Sequence, residues 1–406
     1  MNYHVFTRYL VLFSLGLGMT STVFGQVQSF DKLVDLDDTE GIKHRLPFDF
    51  HVQPGEQTTL TVTGSQLFHD ALIITSKDGG VELDLDLVVL CPDSRQQFAK
   101  RKSYPSKHYN GYSLHQEKRN GWRLEFGKDC VVHTKDLGNP TIELTTASLA
   151  WIDLSNSGTL RAKEMVAEHV RINMGGLSST TLDHVQADRV HITVTGSSDL
   201  SIASVEAHTT EVSLSGLADF ELDSLVSPNV EFDQSGSSDS NTIDMETQKL
   251  VLSVNGLSNF IADKVQIPLK QAESSVEVST IDLSGSADVT VQSLRLPQLE
   301  MKANGLSDLD LGQTVTNGLK LSAGGSSDVS IKSLSTEQSQ IDTSGLADVE
   351  IESLDSDEVE IQASGSADVE VQKVTAAHLD VRSSGLSDVS IKSKERTESN
   401  VDELTQ

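Results

Sequence analysis

From Gly176 onward, apolar residues recur at fixed distances from a glycine. After Gly345 and Gly365 they stand four and six places on (Val349 and Ile351; Val369 and Val371), nine places on (Leu354, Val374), and fourteen and sixteen places on (Val359 and Ile361; Leu379 and Val381). A spacing of two within each pair belongs to strands with one face turned inward; a helical stripe would return every three or four residues. Intervening residues such as Glu350, Glu360 and Glu370 are polar and point outward. Pro228, Pro268 and Pro297 each fall twelve places after a glycine, which predicts a loop there, because proline cannot donate to a central ladder. One repeat therefore reads as two short strands and their corners.

Gly176, Gly196, Gly216, Gly236 and Gly256 are twenty residues apart, and after a nine-residue insertion Gly285, Gly305, Gly325, Gly345, Gly365 and Gly385 resume the period. A fixed period of this size predicts a solenoid, in which each unit buries its apolar face only against its neighbours. The expected fold is all-β: a right-handed parallel β-helix of about twelve rungs, stacked about 4.8 Å apart into a rod of roughly 60 Å. The residue after the glycine alternates without exception: Leu177, Ser197, Leu217, Ser237, Leu257, Ser286, Leu306, Ser326, Leu346, Ser366, Leu386. The repeat of the sequence is thus forty residues, and it leaves open whether one turn holds twenty residues or forty. With twenty, leucine and serine interleave up one edge, large against small.

Residues 1–25 have the form of a secretory signal, with Arg8 before an apolar run from Leu10 to Met19 and small residues before a cut at Gly25. The expected organisation is a signal over 1–25, a β-rich cap region over 26–150, the repeat β-helix over 151–393 and a polar tail over 394–406. No later window is apolar enough for a membrane span. Cys91 and Cys130 are the only cysteines, and export permits them to pair. They bracket an insertion, residues 88–135, that differs from the rest. Between Arg95 and Lys128 it holds nine Lys or Arg residues against Glu117 and Glu125, a balance of +7 inside a chain of net charge -29. Its candidate ligand-binding residues are Arg101, Lys102, Tyr104, Tyr109, Tyr112, Trp122 and Arg123. Aromatic rings among cations suit stacking on sugars and pairing with carboxylate, sulfate or phosphate groups. The alternative is a disulfide-pinned loop whose bases face the acidic repeats.

The overall acidity excludes a nucleic-acid binder, which needs a basic face toward phosphates. Three residues after the glycines stand Asp199, Asp219, Asp239, Asp288, Asp308, Asp328, Asp348, Asp368 and Asp388, with Asn259 and Ser179 in equivalent places. Stacking makes them a column. Aspartate, asparagine and serine share a turn chemistry, bonding a nearby backbone N–H, so a structural corner ladder is the first reading. A Ca2+ column is the sharper one, since carboxylates about 4.8 Å apart repel by about 1 kcal/mol per pair even at the dielectric of water. The calcium β-roll pattern is absent, and no other metal site is expected.

These glycine-small-Asp-apolar repeats, such as SGSADVEV and SGLSDVSI, resemble the head GIN domain family of putative auto-transporter adhesins. LPFDFHVQPGEQTTLTVTG (46–64), LIITSKDGGVELDL (72–85) and TIELTTASLAWIDLSNSGTL (141–160) are similar to the segments that precede that family's repeats. The resemblance covers roughly residues 45–392 and implies a right-handed β-helix and an adhesive role, with no catalytic residues to transfer.

Catalysis on a β-helix, as in enzymes that process acidic polysaccharides, needs one asymmetric group of acid and base. Near-identical repeats supply none, and the histidines His184, His191, His208 and His378 stand apart. The expected protein is a secreted, non-catalytic binding, adhesion or structural module of the cell envelope, periplasmic or at the cell surface of a Gram-negative bacterium. Its partner is expected to be a cell-surface glycan or protein, with a homo-oligomer through the C-terminal rung. The alternative is a polysaccharide lyase or hydrolase.

Overall fold

The computed structural model describes residues 29–36, 39–92, 113–117, 121–125, 130–155, 157–267 and 277–395. The chain is a β-solenoid of about 12 turns, divided into two compact units at Val185 and Gln186.

In the unit from residue 186 onward, each coil pairs with the next at a shift of twenty residues, Asp199 beside Asp219 and Val212 beside Phe232, or of twenty-nine across the nine-residue insertion, Asn259 beside Asp288. One turn is therefore twenty residues long, and the forty-residue alternation spans two turns. All these ladders are parallel. Where proline stands twelve places after the glycine, the coil breaks into two strands, as between Asp219–Val226 and Asn229–Gln234 around Pro228. Elsewhere the coil either runs on as one bent strand, as in Asp199–Leu214, or breaks at the same place without a proline, as between Asp239–Glu246 and Lys249–Gly256. Pro268 lies outside the described residues.

Eight positions per coil point inward. After Gly216 they are Ala218, Phe220, Leu222, Leu225, Ser227, Val230, Phe232 and Gln234, all buried. The apolar pattern identifies five of them and misses the second, eleventh and eighteenth places, because small or polar side chains stand there. The eleventh place shows how such groups are tolerated. Thr247 Oγ1 donates to Lys249 O at 2.8 Å and lies 3.2 Å from Pro228 O one coil earlier; Thr316 and Ser356 repeat the arrangement. A hydroxyl bonded to the backbone turns the corner without leaving a buried donor unsatisfied.

The core adjusts in size from coil to coil. Phe220 and Phe260 lie two coils apart, with Ser240 on the coil between them, and the ring of Phe232 packs near both, at 5.9 and 5.4 Å between centroids. Gln234 shares this layer. Its amide donates to Ser238 O and Asn259 O at 2.6 and 2.9 Å, and its carbonyl accepts from Ser240 Oγ at 3.0 Å.

In the unit up to residue 185, the strands are β1 (Phe30–Asp35), β2 (Gly41–His44), β3 (Asp49–Pro54), β4 (Thr59–Gly64), β5 (Leu72–Lys77), β6 (Gly80–Leu85), β7 (Ser113–Glu117), β8 (Gly121–Glu125), β9 (Val131–His133), β10 (Thr141–Thr146), β11 (Trp151–Leu154), β12 (Thr159–Val166) and β13 (His169–Met174). The parallel stack begins earlier than the repeats suggest. Strand β2 pairs in parallel with β6 and β11, and β11 pairs with β13, so Val81, Ile42, Ile152 and Ile172 form one buried row. On the opposite face β3 pairs in parallel with β10 and β12, aligning Ile142, Phe50 and Leu160. Thus β2 and β3, inside the stretch expected to be a cap, belong to the same parallel stack as β11 and β12. Antiparallel strands close this end: β4 lies along β10, β1 along β4, and β5 along β6. The reversed pairing stops the parallel ladder from presenting an unpaired edge to another chain.

Candidate binding surfaces

Cys91 and Cys130 form a disulfide, with Cα atoms 5.6 Å apart and both residues buried. Closing a loop over a sequence separation of 39 contributes about 4 kcal/mol by chain entropy. Within the bracketed insertion lies a separate three-stranded antiparallel sheet, β7–β8–β9, rather than a loop alone. Leu124 and Val132 are buried beneath it. Arg123 sits on the central strand, opposite His115 on one side and His133 on the other. Its Nη2 meets Glu125 Oε1 at 2.6 Å on the same strand. This candidate cation therefore already has a carboxylate partner, set two residues away where the pleat returns side chains to one face. Trp122 lies on β8 opposite Gln116; its side chain is outside the described residues, as are Arg101, Lys102, Tyr104, Tyr109 and Tyr112. The signal segment 1–25 and residues 396–406 of the tail also fall outside them.

The glycine corner is the second surface. Gly196 through Gly385 have φ between 78° and 90°, the left-handed region that suits glycine. Successive glycines stack so closely that a Cβ on Gly216 would lie 2.6 Å from Gly196 O. The aspartates three places on do align: Asp199, Asp219 and Asp239 are neighbours, followed by Asn259 and then Asp288, Asp308, Asp328, Asp348, Asp368 and Asp388. Turn-holding hydrogen bonds come from a different residue. Ser198, Ser238 and Ser258, one place before the acid position and buried, donate Oγ to the carbonyl three residues back at 2.9, 3.1 and 2.9 Å. Among the described residues, the one hydrogen bond to a carboxylate of the column is from Asp388 N–H to Asp368 Oδ1, at 3.2 Å between coils. An inward serine reaches the backbone of its own turn, whereas the aspartate side chain projects outward from it.

The column is electrostatically crowded. Asp308 has its carboxyl raised above the usual carboxylate range by partial burial and by Asp288, Asp328 and Asp310. Asp199 is raised by burial, then by Asp219 and Glu221, and Asp239 by burial and Asp219. Among the described residues no three His, Cys, Asp or Glu side chains gather to hold a metal ion, and no helix is long and apolar enough to cross a membrane.

Beside the acids runs a row that the sequence pattern read as packing. Leu217, Leu257, Leu306, Leu346 and Leu386 point into solvent, between 61% and 84% exposed. They do not interlock with the serines as core, because the residue after each glycine faces outward.

Several solved structures align with the chain at low similarity. A putative adhesin from Bacteroides fragilis is 9% identical, with a TM-score of 0.29, over 90% of this chain and 97% of that one. A putative adhesin from Parabacteroides distasonis is 13% identical, with a TM-score of 0.31, over 90% and 98%. A putative lipid binding protein from the same species is 8% identical, with a TM-score of 0.28, over 89% and 96%. No curated protein matches the chain significantly. The family described as "Putative auto-transporter adhesin, head GIN domain" matches residues 39–260 and 241–394. Those two matches take in both the strands before the insertion and the glycine-cornered coils, and the chain belongs to that family.

Proposed function

We propose that this protein is an exported, non-catalytic adhesin-type module of the cell envelope, at the cell surface or in the periplasm of a Gram-negative bacterium, and that its insertion contacts acidic glycans. Family membership supports the adhesive role. The carrying observation is the basic, aromatic island between Cys91 and Cys130, stapled by a disulfide and built partly on its own sheet, in a chain of net charge -29. A pinned scaffold lowers the ordering cost that a contact loop bears on binding.

The test is binding of the intact chain to arrayed anionic and neutral glycans at two salt concentrations, beside a variant carrying Arg101→Ala, Lys102→Ala, Tyr104→Ala and Trp122→Ala. Salt-sensitive binding to anionic glycans that falls at least tenfold in the variant is expected. Equal binding by both proteins, or binding indifferent to salt, refutes the assignment of the insertion. Homo-association through the last coil is a second part of the reading: Val381 is 39% exposed, while its counterpart Ile361 one coil earlier is fully buried. A monomeric mass in light scattering at high concentration would remove that part.

A further inference from the structure

The alternation of leucine and serine after the corner glycines is not required by the fold. Both residue types occupy the same backbone geometry: Ser237 and Leu257 each donate N–H to the preceding glycine carbonyl at 2.8 Å, and Ser286 and Leu306 do so at 2.7 Å. The leucines stay mostly in water, so they add little to the core. Meanwhile the interior position three residues later has drifted through Leu200, Phe220, Ser240, Phe260, Val289 and Leu309. A surface residue kept in strict order while the core beneath it varies points to something outside the chain.

Two coils separate successive leucines, so the row consists of apolar studs about 9.6 Å apart with serine gaps between them, extending roughly 38 Å from Leu217 to Leu386. Two residues along each coil, and exposed like the leucines, runs the aspartate column. A partner must match both the stud spacing and the negative charge. A second copy of this chain does not. A two-fold axis along the coils sets leucine against leucine, and one across the corner brings the two acid columns to the same side. An α-helix repeats a face every seven residues, about 10.5 Å, and falls out of step by about 3.6 Å along the row. A β-strand repeats a face every 6.6 to 6.8 Å or so, and matches poorly. A polyproline-II segment repeats a face every three residues, about 9.3 Å, and stays within roughly 1.2 Å over the whole row.

We propose that the leucine–aspartate corner is a docking track for a polyproline-II segment of a partner protein that carries an apolar residue at every third position and a basic residue beside it. The leucine studs lie between the partner's apolar side chains, and its cations face the carboxylates. Crowding of like charges along the column favours such a partner, since each incoming cation relieves repulsion that the free protein bears. This surface is separate from the insertion and does not depend on glycan binding.

The experiment titrates the intact chain with three synthetic peptides of equal charge: five repeats of Leu-Pro-Lys, the same composition with the leucine spacing scrambled, and a helical peptide with leucine every seventh residue. Calorimetry reads the affinities. The in-period peptide is expected to bind at least tenfold more tightly than the other two. A variant with Leu257→Ser, Leu306→Ser and Leu346→Ser is expected to lose at least tenfold toward that peptide with its thermal midpoint unchanged, because serine already stands at the alternate corners. A second variant, Ser286→Leu with Ser326→Leu, fills the gaps and is expected to lose affinity similarly. Equal binding of the in-period and scrambled peptides, preference for the helical one, indifference to the leucine changes or no binding at all overturns the proposal.

Discussion

Replacing Gly216 with alanine attacks the corner where the coils come closest. Gly216 sits at φ +89°, and a Cβ there would lie 2.6 Å from Gly196 O and 3.0 Å from Gly196 N. Two costs add. An L-residue in the left-handed region loses about 1–2 kcal/mol relative to its preferred conformation. Forcing a carbon into a packed contact costs about 1–3 kcal/mol, and here the obstacle is backbone held in a ladder, with Leu217 N–H bonded to Gly196 O at 2.6 Å. The total expected is about 2–5 kcal/mol. Because a coil contacts only its neighbours, the damage should concentrate near residues 196–236. Urea unfolding followed by circular dichroism should show the midpoint falling by roughly 1 M or more, and hydrogen exchange should show protection lost locally. Ser237→Ala, at the next corner but with its side chain outward, should shift stability by less than about 0.5 kcal/mol. A Gly216→Ala loss below about 1 kcal/mol would refute the claim that stacked glycines set the corner.

Three further outcomes follow from buried or crowded groups. His44 on β2 is fully buried against Phe50, its Nε2 3.2 Å from Phe48 O, and burial pushes its pKa down to about 4. Since the unfolded side chain takes up its proton near pH 6.5, stability is full above that pH and falls as pH drops toward 4, by about 3 kcal/mol in all; thermal midpoints across this range should show the slope, and His44→Leu should flatten it. Asp308→Asn should raise the midpoint at neutral pH and low salt by relieving two neighbours, each repelling by less than about 1 kcal/mol at 4.8 Å in water, and the gain should shrink with added NaCl. The sign agrees with its raised pKa: the parent gains stability from this group as pH falls through the folded value and loses it as pH rises, so a neutral-pH loss in the asparagine variant would contradict the crowding. Ser240→Ala leaves the Gln234 carbonyl without its hydroxyl donor inside the core and should cost about 1–3 kcal/mol in denaturant unfolding, whereas an unchanged midpoint would mean that the network does not hold that layer.

Much of the candidate site was only partly legible. Cysteine spacing and the basic island marked the insertion, but strands β7 and β8 carry no long alternating pattern, and the Arg123–Glu125 pair depends on which face of the pleat both share. The aspartate column followed directly from the glycine period. Its role did not, because aspartate and serine have overlapping turn chemistry, and only the direction of the side chain separates them: Ser198 and Ser238 turn inward to the backbone while the acids turn out.

By itself the sequence determined that residues from Gly176 onward form stacked strands with glycine corners, which places lie inside wherever the residue is apolar, and to which family the chain belongs. These follow from local chemistry, a period-two pattern and a residue that alone tolerates positive φ. Only the tertiary structure decided the length of a turn, the solvent-facing leucine row, and the start of the parallel stack at Gly41, where β2 finds its partner β11 across 110 residues. Strand pairing is a choice between distant segments whose inward faces look alike. A twenty-residue and a forty-residue turn present the same alternation along the chain, and they differ only in which coil lies next to which.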